Sequence, residues 1–90
     1  MKKSVGQESF RTIANAEILS PALCGVKEGS SFYVHAFYIV NQSSEDIGVS
    51  INYGDFIVLR PGEMYSLSGI TEVASCRVNR NAVVRWGGVV

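Results

Sequence analysis

Apolar and polar residues alternate in short runs along most of the chain, and turn residues separate these runs. In the run "IGVSINY", residues 47, 49, 51 and 53 are apolar or aromatic and the residues between them are small or polar, which is the period of a strand with one buried face. Similar runs predict seven strands, at 10–19, 32–41, 47–52, 56–60, 64–70, 75–79 and 82–90, although 14–19 would also tolerate a helical turn. The pattern predicts an all-β fold, a small single-domain β-sandwich or jelly-roll-like barrel of about seven to eight strands.

The two ends of the chain fit this pattern poorly. Residues 1–9 are polar and lack periodicity, so they are predicted to form a flexible N-terminal arm, with the sandwich domain spanning 10–90. The last residues, "WGGVV", also lack a clear period. We expect both ends to reach a neighbouring chain and to add to the edge of its sheet.

The strand at 32–41 is apolar on both of its predicted faces. One face would carry Phe32, Val34, Ala36, Tyr38 and Val40, and the other Tyr33, His35, Phe37 and Ile39. A strand of a two-layer sandwich normally turns one face to water. This strand is therefore predicted to lie under a covering segment or in an interface between subunits.

Two turns are predicted from glycine and proline. In "YGD", Gly54 could supply a positive φ, so 47–52 and 56–60 are predicted to form a hairpin. In "RPGE", Pro61 and Gly62 suit the two central positions of a type II turn. Because tight hairpins prefer the primed turn types, this turn favours a corner where the chain passes from one sheet to the other, with a wider hairpin loop as the alternative.

Composition and charge exclude several classes of protein. The chain is 47% apolar and 18% charged, as in globular proteins, and its eight basic and eight acidic residues cancel, which argues against a nucleic-acid partner. The apolar run 32–40 is far shorter than the ~20 residues of a membrane-spanning helix, so no membrane association is predicted. No secretory signal is recognised, so Cys24 and Cys76 are expected to be reduced, buried thiols in a cytoplasmic protein, with a disulfide as the alternative.

No group of residues has the pattern of a catalytic, metal or cofactor site. His35 lies mid-strand among aromatic residues, where a packed histidine is the usual case, and the acidic loop Ser43–Asp46 lacks the spacing of a calcium site. We therefore predict that the protein is not an enzyme. The basic residues 60, 77, 80 and 85 and the acidic residues of 45–72 could pair between subunits.

The aromatic residues are the remaining candidates for recognition. Their flat apolar rings can stack on a sugar or fill an interface, although core packing explains them equally well. The interface or binding candidates are Tyr33, Phe37, Tyr65 and Trp86. Trp86 precedes two glycines and is the candidate most expected to be exposed.

The segment from "YIVNQSSEDIGVSIN" through "GDFIVLRPGEMYSL", residues 38–67, resembles a pattern in small β-sandwich structural proteins of tailed-bacteriophage virions. That pattern has a strand ending in Asn, a Ser/Asp-rich loop, an alternating strand, a glycine turn and a strand ending in "VLRPGE". This chain departs from it at "YGDF", where a second glycine or an aromatic residue is usual. The resemblance implies a non-enzymatic capsid decoration, head fibre or tail-associated protein, assembled in the host cytoplasm and binding copies of itself and a larger capsid or tail. The alternative is a carbohydrate-binding β-sandwich module that uses exposed aromatics to bind a glycan.

Overall fold

Two antiparallel sheets form the framework of the computed structural model, which describes residues 3–67 and 72–90. The described strands are β1 (Ser4–Thr12), β2 (His35–Asn41), β3 (Ile47–Ile51), β4 (Ile57–Leu59), β5 (Met64–Ser66), β6 (Cys76–Val78) and β7 (Ala82–Val89), and one short helix, α1 (Pro21–Cys24), follows β1. The larger sheet has the order β1-β7-β2-β5 and the smaller one β4-β3-β6. The prediction of a small all-β fold of about seven strands is confirmed.

The core lies between the two sheets. It is built largely from alternate residues of the inner strands, as the sequence pattern of β3 indicates. The larger sheet contributes Phe37, Ile39, Val84 and Trp86, with Val34 just before β2, and the smaller sheet contributes Ile47, Val49, Leu59, Cys76 and Val78. The predicted strand at 64–70 ends at Ser66 in the structure, and residues 68–71 lie outside the described part of the chain.

The described segments near the two ends of the chain, β1 and β7, belong to the larger sheet. β1 pairs with β7 from Ser4 opposite Val89 to Thr12 opposite Ala82, so the prediction of a flexible arm is wrong for residues 3–9. The "WGGVV" segment was predicted to add to the sheet edge of a neighbouring chain. It belongs instead, up to Val89, to β7, which already pairs with β1 on one side and β2 on the other. Backbone hydrogen bonds of 2.9 Å in both directions join Lys3 to Val90.

The predicted strand at 10–19 stops at Thr12, and the chain then turns towards α1. Ser20 caps the helix: its Oγ accepts a hydrogen bond from the Leu23 N–H at 3.3 Å. Pro21 occupies the first turn, and Gly25 ends the helix with φ 65°. These three residues are a helix signal that the strand prediction overlooked.

A β-bulge explains the two apolar faces of the strand at 32–41. Ala36 has φ 50°, and the pairing of β2 with β7 shifts between His35 and Tyr38. As a result Val34 and Phe37, which a regular strand would place on opposite faces, both point into the core. The two-sided apolar pattern therefore gives no reason to place a subunit interface on this strand.

The predicted corner at Pro61 is confirmed. The Glu63 N–H donates to the Arg60 carbonyl at 3.0 Å, Gly62 has φ 84°, and the chain passes from β4 in the smaller sheet to β5 in the larger one. The wider hairpin loop is excluded because β4 and β5 lie in different sheets.

Buried Asn41 holds this corner in place. Its Nδ2 donates to the carbonyls of Leu59 at 3.0 Å and Glu45 at 2.8 Å, and its Oδ1 accepts from the Ser43 N–H at 2.9 Å. Its backbone N–H and carbonyl pair with the turn itself, at residues 63 and 62. Asn41 therefore joins the end of β2 in the larger sheet to the end of β4 in the smaller sheet and to the loop that leads into β3.

Candidate functional site

Exposed apolar side chains gather on the solvent side of the smaller sheet. The pairings Gly48–Val58 and Ser50–Arg77 show which residues share this side. By the two-residue period of a strand, Phe56 and Asn79 follow them there. We call this surface the outer face; it consists of Tyr53, Phe56, Val58, Arg77 and Asn79.

The middle of the outer face is formed over a glycine. A Cβ added to Gly48 would lie 2.8 Å from Asn79 Nδ2 and 3.2 Å from Phe56 Cβ, so these two side chains fill the space that a larger residue would need. The Gly48 N–H also donates to Asn79 Oδ1 at 2.8 Å. The absence of a side chain at Gly48 thus leaves room for Phe56 and Asn79, and the hydrogen bond holds Asn79 there.

The turn between β3 and β4 displays Tyr53. The Gly54 N–H donates to the Ile51 carbonyl at 3.0 Å, and Asn52 and Tyr53 have φ 51° and 61°, as in a type I′ turn. The predicted hairpin is confirmed, but the prediction that Gly54 supplies its positive φ is wrong. Asparagine tolerates this conformation, whereas a bulky residue there is strained.

Asn52 secures that turn against the chain before β6. Its Nδ2 donates to the Glu72 carbonyl at 2.8 Å, and its Oδ1 accepts from the N–H groups of Ala74 at 2.7 Å and Ser75 at 3.2 Å. These contacts hold the turn while leaving the Tyr53 side chain in solvent, 72% exposed.

Arg77 stacks on the displayed tyrosine. Its Cζ lies 4.7 Å from the centre of the Tyr53 ring, a cation–π contact across the outer face. The face thus combines an aromatic ring, a guanidinium and an amide with the apolar side chains of Phe56 and Val58. Such a surface can bind another protein or stack on a sugar ring.

Strand β4 borders the outer face and forms an edge of its sheet. The sequence "FIVL", residues 56–59, contains no charge and no proline. Val58 is 64% exposed and Phe56 is 48% exposed. An exposed apolar edge of this kind is a site where another strand can add.

The four aromatic candidates from the sequence do not form one site. Phe37 and Trp86 are fully buried and pack against each other with ring centres 6.2 Å apart, so the prediction of an exposed Trp86 is wrong. Tyr65 is half-buried against the core. Tyr33 is exposed and lines a shallow groove of about 410 Å³ beside Phe32.

The residues of the outer face were missed although the sequence carries a signal for them. In the run "FIVL" the residues on both faces of the strand are apolar, which is the same pattern that indicated an interface at 32–41. In β2 a bulge accounts for that pattern. In β4, the register instead places Val58 outward and Leu59 inward.

A small polar cluster beside the core involves Glu17 and the two cysteines. The Glu17 carboxylate accepts hydrogen bonds from Ser75 Oγ at 2.6 Å and from the Cys76 N–H at 2.8 Å. Both thiols are free and buried, which confirms the prediction of reduced cysteines. Burial and the nearby Glu17 carboxylate raise the pKa of Cys76 to about 12 and also raise the pKa of Cys24. Neither thiol is therefore a nucleophile at neutral pH.

The acidic loop at 43–46 is tied to a basic residue. Arg80 contacts Glu45 Oε2 at 2.9 Å and donates to the Asp46 carbonyl at 3.2 Å. Within residues 3–67 and 72–90, no group of three or more His, Cys, Asp or Glu side chains could hold a metal ion. In the same residues, no helix has the length and apolar character needed to span a membrane.

The structure therefore defines a small all-β protein of two antiparallel sheets with an exposed apolar face beside an open sheet edge. No family model matches the chain, and no curated protein or solved structure matches it.

Proposed function

We propose that this chain is a non-enzymatic structural subunit of a tailed-bacteriophage virion that binds copies of itself and a larger capsid or tail lattice. It would serve as a capsid decoration, a head fibre or a tail-associated protein, assembled in the host cytoplasm. The observation that supports this most directly is the concentration of exposed apolar residues at 53–58, on the outer face and the edge beside it. The virion assignment itself is supported by the sequence resemblance, whose residues 38–67 include this surface.

Covering the outer face is energetically useful to an assembling protein. Removing the exposed parts of Phe56 and Val58 from water would contribute about 1–2 kcal/mol for each side chain. A symmetric contact uses each residue twice, which doubles this contribution. Tyr53 and Arg77 of this face belong to the residue types that are enriched in protein interfaces.

The proposal is tested by changing the outer face and measuring association. We expect Phe56→Glu to dissociate oligomers of the purified chain. Sedimentation velocity over a wide range of concentration measures this association. Ile13→Glu is the matched control, because Ile13 is 69% exposed and lies outside the outer face. Thermal melts would establish that both variants fold. A parent chain that is monomeric throughout, or two variants that associate equally, would refute the homo-oligomeric part of the proposal.

The lattice contact needs a separate experiment. Virions assembled with the Phe56→Glu chain in place of the parent should carry less of it than virions assembled with Ile13→Glu. The measurement is the amount of the chain that co-sediments with purified particles. Equal amounts of the two variants on the particles would show that the outer face does not bind the lattice.

Carbohydrate binding is the second candidate function, and the exposed ring of Tyr53 beside Arg77 is the observation that favours it. Aromatic rings stack on the apolar faces of sugars while neighbouring polar groups bind their hydroxyls. A glycan array followed by calorimetry on Tyr53→Ala tests this function. Binding that survives the substitution would exclude the outer face as the glycan site.

A further inference from the structure

The edges of the two sheets are protected unequally. β1 carries Glu8 and Arg11, and its pairing is interrupted by an irregularity between Gln7 and Phe10. Charges and bulges of this kind discourage another strand from adding to an edge. The larger sheet is therefore protected along β1.

The free side of β6 is covered by the chain itself. The Asn15 N–H donates to the Val78 carbonyl at 2.7 Å, and the Ile18 N–H donates to the Cys76 carbonyl at 2.9 Å. The opposite edge of the same sheet is β4, where residues 56–59 carry neither a charge nor a proline and pair with β3 without a register shift. The smaller sheet is thus open on one side.

We propose that β4 pairs antiparallel with β4 of a second copy of this chain, about a two-fold axis at Val58, to form a continuous six-stranded sheet. This inference rests on the proposed function, because it names the partner and the contact through which the subunit would assemble. In such a pair Val58 faces Val58 of the second copy. Phe56 then lies opposite Arg60 of the second copy, twice by symmetry.

The register follows from the faces of the strand. Residues that lie opposite each other in an antiparallel pair share one side of the sheet, so the axis must pass through a residue of β4. An axis at Ile57 would set the Asp55 carboxylate opposite Leu59, an apolar residue that is buried in the core. An axis at Val58 instead sets the Arg60 guanidinium against the Phe56 ring, and is the favourable register. The Arg60 N–H and carbonyl are hydrogen-bonded to Glu63, so the contact between Phe56 and Arg60 is made by their side chains and not by the ladder.

A second copy is the occupant that suits this edge. In the pair, the apolar Val58 side chain of one copy contacts the same side chain of the other, and the Phe56–Arg60 contact is made twice. The chain has eight basic and eight acidic residues, so two copies carry no net charge to repel one another. The two outer faces would also become continuous across the new pair of strands.

Cross-linking at Val58 tests the pairing. Opposite Cα atoms of an antiparallel pair are about 4.5–5.5 Å apart, within the range that a disulfide bridges. Under mild oxidation we expect Val58→Cys to form a covalent dimer in most of the protein, because the native thiols at 24 and 76 are buried. Ile13→Cys, an equally exposed control, should stay largely monomeric on a non-reducing gel.

A second variant tests the same pairing without changing Val58, so its result does not depend on how Val58→Cys folds. Arg60→Glu removes the guanidinium from an exposed position beyond the strand, and it should weaken dimerisation at least tenfold in sedimentation equilibrium. A wild-type affinity for this variant would overturn the proposed register.

The failure of this inference can be distinguished from failure of the proposed function. If the parent chain associates but Val58→Cys cross-links no better than Ile13→Cys, the β4 pairing is wrong and assembly through another surface stands. If the parent chain is monomeric at all concentrations, both the pairing and self-assembly are wrong. A monomeric chain whose Val58→Cys variant forms mixed disulfides with another protein of the expressing cell would show that a foreign strand occupies the edge, which also overturns the inference.

Discussion

Replacing Asn41 by aspartate tests the polar contacts that hold the corner between the sheets. The carboxylate keeps the shape of the amide and can still accept from the Ser43 N–H, but it cannot donate to the carbonyls of Leu59 and Glu45. The hydrogen bond to Leu59 is buried, so its loss costs about 1–3 kcal/mol, and the less buried bond to Glu45 adds about 0.5–1.5 kcal/mol. We expect Asn41→Asp to lower the free energy of unfolding by about 2–4 kcal/mol at neutral pH.

The loss should depend on pH. Burial and two facing carbonyl oxygens disfavour the charged carboxylate, so the pKa of the introduced carboxyl group in the folded variant lies above its unfolded value of about 3.9. A raised folded pKa means that stability is retained below the unfolded pKa and is lost as pH rises through the folded pKa. Urea unfolding of the variant should therefore show a smaller deficit in acid than at neutral pH.

The matched control for this prediction is Asn81→Asp. Asn81 is exposed, and its Oδ1 accepts a hydrogen bond from the Ala14 N–H at 2.9 Å, which a carboxylate can also accept. We expect this variant to change stability by less than about 0.5 kcal/mol. If Asn41→Asp costs no more than Asn81→Asp, or if its deficit does not shrink in acid, the role given to Asn41 is wrong.

Three further predictions follow from the core and the ends of the chain. Because the pKa of Cys76 rises from 9.0 to about 12 on folding, the contribution of this thiol to stability should be constant below pH 9 and then fall by up to about 1.4 kcal/mol per pH unit. Cys76→Ala should reduce the slope of stability against pH in alkaline urea titrations. Among residues 3–67 and 72–90 the buried Trp86 Nε1 has no hydrogen-bond partner, so Trp86→Phe should cost much less in thermal unfolding than the ~3–5 kcal/mol of Trp86→Ala, and equal losses would contradict this account. Deleting 87–90 removes residues that pair with both β1 and β2, so circular dichroism should show loss of folded structure and not merely loss of assembly.

Local patterns predicted the parts of the fold in which one strand follows another closely. The alternation at 47–51, the hairpin that follows it and the Pro61–Gly62 corner are set by residues near in sequence, and the structure confirms them. The part of β1 before Phe10 was missed because this is an edge strand with mostly polar side chains, held by backbone pairing with β7, at the opposite end of the chain. Hydrophobic periodicity carries no information about such pairing.

The candidate site was harder to predict for a related reason. Trp86 is in the core because β7 lies between two other strands, a fact of topology that its Gly-Gly neighbours do not reveal. The bulge at Ala36 changes which side chains of β2 face inward, and alanine is not a residue that signals a positive φ. Tyr53 likewise takes a backbone conformation that its side chain disfavours. Residue propensity therefore assigned the positive φ of the turn to Gly54 instead.

The pairing of Lys3 with Val90 determines how the fold would respond to mechanical load. β1 and β7 run antiparallel, so residues 3 and 90 lie side by side at the same end of the ladder. A force that pulls these two residues apart acts on one hydrogen-bonded pair at a time and peels β1 away from the sheet. A force along β4, applied through a neighbouring copy, would act on all the hydrogen bonds of that junction together. Such a subunit would yield gradually to tension between its ends and resist tension along its contact strand.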